Sequence, residues 1–156
     1  MKIVVISDTH GQTDLAEKII SEIKNIDLCI HLGDYYKDAL YISEKMGIEI
    51  VAIKGNCDSK DDVQEESVLK IEGHKIFITH GHEYNVKTDL NRLYYKAKSL
   101  DCHIALFGHT HKAIKVEHEG MIILNPGSLT KPRGTGPTYA VLEINKENIE
   151  VEIIEV

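Results

Sequence analysis

An α/β fold is what this 156-residue sequence predicts, and two observations carry that reading. In the first third, continuous apolar runs such as Ile3-Val4-Val5-Ile6 alternate with stretches whose apolar residues recur three and four apart. The runs suit strands buried on both faces, and the spaced stretches suit helices with one apolar stripe. In the second half, Glu72-Gly73 and Glu119-Gly120 each lie between two short apolar segments, which is the pattern of a β-hairpin.

The elements follow in order. Residues 3–6 form a first strand, and residues 12–24 a helix with Leu15, Ala16, Ile19, Ile20 and Ile23 on one stripe. A strand at 28–32, a helix at 36–46 with Leu40, Ile42 and Met46 facing inward, and a strand at 48–53 complete a βαβαβ start. The two hairpins pair 68–71 with 75–79 and 115–118 with 121–124. Between them lie a helix at 86–100, carrying Leu90, Leu93, Tyr94 and Ala97, and a strand at 103–107. A last hairpin joins 139–144 to 149–154 around residues 145–148. No linker, repeat or low-complexity stretch interrupts the chain, so residues 1–156 are expected to be a single domain.

The apolar fraction of 42% and charged fraction of 28% are those of a soluble globular protein. A formal charge of −7 with no basic patch disfavours a broad grip on nucleic-acid backbone. The start, MKIVVISDTH, reads as a strand and not a signal peptide, and no segment has the length of a membrane span. Three scattered cysteines, Cys29, Cys57 and Cys102, form no CxxC pair and no even set, which favours free thiols in a reducing cytoplasm. Nothing in the sequence specifies an oligomeric state.

Five apolar runs end in unusual polar clusters: Ser7-Asp8-Thr9-His10, Gly33-Asp34, Gly55-Asn56-Cys57-Asp58, Thr79-His80-Gly81-His82 and Gly108-His109-Thr110-His111. Each follows the carboxyl end of a strand, the edge at which open α/β sheets bind ligands. The convergent donors are Asp8, His10, Asp34, Asn56, His80, His109 and His111. One tetrahedral ion does not use so many oxygens and nitrogens, whereas two ions sharing a carboxylate would. In an extended segment, Asp-x-His and His-x-His would point both side chains the same way, and the preceding glycines would let the backbone come close.

At these residues the sequence resembles the calcineurin-like metallophosphoesterase superfamily, with its motif string DxH, GD, GN[H/C]D, H and GHxH in order, and in particular its small single-domain prokaryotic phosphodiesterases. The match runs from Asp8 to His111, and the turn Asn125-Pro126-Gly127-Ser128 extends it. The resemblance implies two mixed β-sheets packed face to face with helices on the outside, a four-layer αββα sandwich. It implies that Asp8, His10, Asp34 and His111 hold one metal ion, that Asp34, Asn56, His80 and His109 hold the other, and that Asp34 bridges. The implied activity is that of a metal-dependent phosphodiesterase, in which hydroxide bridging the two ions attacks a small-molecule or exposed phosphoester, with Asp34 and Asn56 central to catalysis. The donor set suits Mn²⁺ first, with Ni²⁺, Co²⁺, Fe²⁺ and Zn²⁺ as alternatives. The rival reading is a non-enzymatic interaction scaffold of the same fold, like the retromer subunit. A DNA exonuclease is weakened by the acidic charge and the absence of a capping domain.

The remaining candidates divide. His74 and His118, at hairpins, are expected to be exposed; His103 begins a strand, and His31 reads as a satisfied core histidine. His82 either sits on a plain loop or faces substrate. The Asn125–Ser128 turn is first a Pro-Gly turn, and in the resembled family it lies near the metals. Lys131 and Arg133, on the loop 131–137, are either solvated or within reach of a phosphate. Cys57 stands where many members of the superfamily have a histidine that protonates the leaving oxygen. A thiol there is either a small turn residue or a group in contact with substrate.

Overall fold

A computed structural model describes residues 1–59, 63–134 and 136–156 of the chain; Thr135, inside the loop 131–137, lies outside the described residues. In one sheet β1 (Lys2–Ile6), β2 (Leu28–His31) and β3 (Ile50–Ala52) run parallel, and β9 (Thr138–Ile144) and β10 (Ile149–Glu155) add antiparallel beyond β1, giving the order β10-β9-β1-β2-β3. In the other, β5 (His74–Thr79), β6 (Ile104–Phe107) and β8 (Met121–Asn125) run parallel. They are flanked antiparallel by β4 (Glu66–Ile71) and β7 (Ile114–His118), in the order β4-β5-β6-β8-β7.

Both sheets are covered on both faces, which is why their central strands are apolar without alternation. Ile3 and Val5 face the layer shared with Ile76, Ile78, Ile104 and Leu106 of the second sheet. Val4 and Ile6 face the other way, against Ala16, Ile19 and Ile20 of α1 (Asp14–Glu22) and Ile42 of α2 (Tyr36–Met46). Phe77, Ala105 and Phe107 meet Leu93, Tyr94 and Ala97 of α3 (Asn91–Ser99) on the outside of the second sheet. This is the αββα sandwich, and burial of each such large side chain stabilises it by about 1.5–3 kcal/mol.

Five expectations need correction. Leu40 does not face inward: the buried face of α2 is Tyr36, Ala39 and Ile42, and Leu40, one residue past Ala39, is 58% exposed. The third helix begins at Asn91 and not at Val86, because Asn85 is left-handed (φ 55) and the Asp89 carboxylate accepts the Asn91 amide at 2.8 Å. β3 keeps only three residues at the sheet edge. His74 is half-buried and not exposed, its Nε2 2.9 Å from the Asn145 carbonyl, whereas His118 is exposed as expected. His103 lies one residue before β6. Cys29, Cys57 and Cys102 are free thiols, and among the described residues no helix is long and apolar enough to cross a membrane.

Candidate metal centre

The loops leaving β1, β2, β3, β5 and β6 bring all seven expected donors together. Asp8, His10, Asp34 and His111 each offer one ligand atom, and these atoms lie within 4.8 Å of one another. Asp34 faces two ways: its Oδ2 is 3.8 Å from His10 Nε2 and its Oδ1 is 3.4 Å from His80 Nε2. His80 Nε2 is in turn 3.2 Å from Asn56 Oδ1, and the His109 ring stands 5.1 Å from that of His80.

The convergence does not come from extended segments. Asp8 (φ 56), His10 (φ 49), Asp34 (φ 56), His109 (φ 66) and His111 (φ 59) are all left-handed. Each such L-residue costs about 1–2 kcal/mol, and short polar side chains tolerate it best. The strain bends each loop so that both ends of an Asp-x-His or His-x-His triplet turn inward. Two glycines are fixed by proximity: a β-carbon on Gly55 would collide with Asp34 Oδ1, and one on Gly108 with Ser7 Oγ.

Hydrogen bonds then orient the donors. His80 Nδ1–H donates to the Leu32 carbonyl at 2.7 Å and His111 Nδ1–H to the Lys131 carbonyl at 2.8 Å, which turns Nε2 of both rings to the centre. The Ser7 hydroxyl donates to Asp8 Oδ2 at 2.5 Å and the His109 amide to the same oxygen at 3.1 Å. The Asp8 carbonyl accepts from the Ser128 and Thr130 hydroxyls at 2.9 and 3.1 Å, so the Asn125–Ser128 turn braces the site from behind. Asn125 Nδ2 holds the Gly108 carbonyl at 2.7 Å. His31, fully buried, accepts the Gly33 amide at Nδ1 and donates from Nε2 to Thr9 Oγ1, whose hydroxyl donates to Asp38. It is a satisfied core histidine, and burial pushes it down to about 4, so it stays neutral.

The electrostatics fit a cation. Asp8 Oδ1 is buried with no hydrogen-bond partner, 3.1 Å from His111 Nε2, whose other nitrogen already donates to Lys131. Two lone pairs therefore face each other unless a proton or metal ion lies between them. Burial would raise the Asp8 carboxyl, but His111, His80 and Ser7 hold it below the ordinary value. His111 is raised by its contact with Asp8, and His109 is pushed down to about 4, first by burial and then by the nearby His80 and Lys87.

His82 lies beside the site, its ring 5.5 Å from His80 and 6.1 Å from His109, with a buried Nδ1 that has no hydrogen-bond partner. Cys57 is exposed on the Asn56 loop; its amide donates to Asp34 Oδ1 at 2.9 Å, and burial of the sulfur, then Asp34, pushes the thiol up to about 11. Motif reasoning gave no role to Asp58, whose carboxylate accepts the amides of Gly55, Tyr35 and Tyr36 and so ties two loops together. Its place in the GNCD string was the available signal. Tyr35, exposed and edge-on to His10 at 5.5 Å, carried no signal beyond following Asp34.

With this geometry in view, the comparisons with known proteins are specific. The model of the calcineurin-like phosphoesterase superfamily domain matches residues 1–147. A predicted phosphoesterase from Streptococcus pneumoniae TIGR4 superposes with a TM-score of 0.84 at 30% identity, covering 99% of this chain and 88% of its own. A phosphodiesterase of Methanocaldococcus jannaschii is 28% identical over 99% of this chain and 100% of its own length. Vps29 of Entamoeba histolytica, complexed with Zn²⁺, gives a TM-score of 0.80 at 26% identity, covering 99% of this chain and 98% of its own.

Proposed function

The chain belongs to the calcineurin-like phosphoesterase superfamily, and from that premise we propose that it is a metal-dependent phosphodiesterase with a dinuclear centre in which Asp34 is shared. The observation that carries this reading is the pair of Asp34 oxygens, one toward His10 and the other toward His80 and Asn56. Asp8, His10, Asp34 and His111 would hold one ion, and Asp34, Asn56, His80 and His109 the other. Mn²⁺ is the first candidate. Two divalent ions held there would supply a strongly acidified water and a clamp on the phosphoryl oxygens.

The chain's own part is orientation. Leu32 and Lys131 fix the tautomers of His80 and His111, and Ser7 and the His109 amide occupy one Asp8 oxygen so that the other is free for the centre. Asn56 and Cys57 beside it are exposed, and from there they would border the leaving group. With its thiol pushed up to about 11, Cys57 is protonated at neutral pH and a poor nucleophile, and it is a weak acid for a departing alkoxide. The enzyme therefore depends on leaving groups that are already good.

The Mn²⁺-loaded protein should hydrolyse bis-p-nitrophenyl phosphate far faster than alkyl diesters, and Cys57→His should narrow that gap. Absence of metal-dependent turnover on a panel of mono- and diesters would overturn the reading. It would favour instead a scaffold role, the alternative that the likeness to Vps29 keeps in view. The buried Asp8 oxygen, 3.1 Å from His111 Nε2, calls for a proton or a metal ion beside it under either reading, so turnover is what separates the two.

A further inference from the structure

β7 is an edge strand: in the second sheet it pairs with β8 alone, and four of its five residues are exposed. Which backbone groups it leaves unpaired follows from its neighbour. The Ile122 amide donates to the His103 carbonyl, on the β6 side, so Ile122 faces β6 and its partner Glu117 turns its own amide and carbonyl away from β8. By the alternation of an antiparallel ladder Lys115 does the same, whereas Ile114, Val116 and His118 turn toward β8. Outward donors and acceptors of this kind are a template for a further strand.

The side chains say which strand fits. Ile114, Val116 and His118 share the face toward α3, where Val116 and His118 line a groove with Leu90 and the 66% exposed Tyr95. Lys115 and Glu117 share the other face, with 3.4 Å between Nζ and Oε1. Set antiparallel against a copy of itself, with the twofold axis at Val116, the strand places Lys115 opposite Glu117 of the second copy and Glu117 opposite Lys115. These are the residues whose backbones point outward, so each pair can exchange both N–H···O bonds. Val116 then meets Val116, and Ile114 meets His118, in the intervening pairs, where side chains come closest. An axis at Lys115 or at Glu117 would instead set two like charges opposite each other. Charge and hydrogen-bond alternation therefore pick the same register.

The other edges lack this match. β3 has only three residues, and every charged residue of β10 is a glutamate, with the Val151 carbonyl already accepting from Lys115 Nζ at 3.3 Å. In β4, Glu66 is engaged by the Tyr84 hydroxyl and by Lys96. We propose that β7 is a self-association surface, on which a second copy of this chain docks antiparallel with the axis at Val116, making one continuous sheet through both. β7 begins shortly after the donors His109 and His111, so the two metal centres come to lie at opposite ends of the joined strands. The inference is independent of what those centres do.

Sedimentation equilibrium on the full chain tests it. An edge pairing of this size is weak, and the chain should be half dimeric at about 10–100 µM. Lys115→Glu or Glu117→Lys makes both cross-strand pairs alike in sign and should weaken association about tenfold. An equimolar mixture of the two variants restores opposite charges at both pairs and should associate as the wild type does, a rescue that loss of fold in either variant could not produce. Melting curves check that each variant folds. A wild-type chain that stays monomeric at millimolar concentration, dimers undiminished in both variants, or folded variants that fail to associate with each other would overturn β7 as the docking edge.

Discussion

The donors around Asp8 and those around Asn56 are held in different ways. Asp8 is gripped at one carboxylate oxygen by Ser7 and the His109 amide and at its carbonyl by Ser128 and Thr130, and His111 is tied to Lys131. On the other side only His80 is anchored in this manner, through Leu32; Asn56 is exposed, and its Nδ2 reaches no closer than 3.5 Å to Cys57 Sγ. A ligand set ordered in advance does not lose that entropy when an ion binds, so the Asp8 side should bind first and more tightly, and the Asn56 side should be the exchangeable one.

The largest effect should come from the residue common to both sides. Asp34→Asn is nearly isosteric, and it should lower turnover on bis-p-nitrophenyl phosphate by on the order of 10³-fold while reducing bound manganese, read by elemental analysis, on both sides. Retention of one tightly bound ion would show that Asp34 serves one side only. His111→Ala should also abolish activity, with no recovery in excess Mn²⁺. Asn56→Ala should instead raise the Mn²⁺ concentration needed for half-activation about tenfold, with turnover largely restored at saturation. The opposite pattern of rescue would invert the comparison.

Smaller effects should sharpen it. Ser128→Ala removes one of two hydroxyls from the Asp8 carbonyl and should cost about 1 kcal/mol in denaturant unfolding, with a several-fold loss of activity. On the open side, Cys57→Ser should leave turnover within about a factor of two, because the thiol is protonated at neutral pH and no ligand is lost. A loss of orders of magnitude with both ions retained would make the thiol a chemical participant.

The seven donors could be read from the sequence because each follows an apolar run, and a strand end is a local feature that composition announces. The sandwich was less legible. Periodicity distinguishes strand from helix, but it does not say that Val4 meets α1 while Val5 meets β5, and it placed Leu40 inward by only approximate spacing. The bracing was hidden for a different reason: Ser128 supports Asp8 across 120 residues, and a serine after a Pro-Gly turn looks like any other. Asp58 stands inside a motif, yet the three amides that it accepts belong to two loops whose proximity only the fold decides. The left-handed backbone at five donors also escaped notice, since Asp and His carry no compulsory signal for it as glycine does.

The pairing of β1 with β9 sets a timetable for synthesis. β1 is made long before β9, its neighbour in the sheet, and the Ser128 hydroxyl comes 120 residues after the Asp8 that it braces. At 5–20 residues per second the wait is on the order of ten seconds. During it β1, β2 and β3 can pair, but the β9 side of β1 stays open, an apolar edge ready to take a strand from another nascent chain. Non-local closure of this kind is also slow once the chain is free. Yield in expression should therefore respond to temperature and to chaperone supply through this one edge, and a ligand added for the finished site can give no help until β9 has docked.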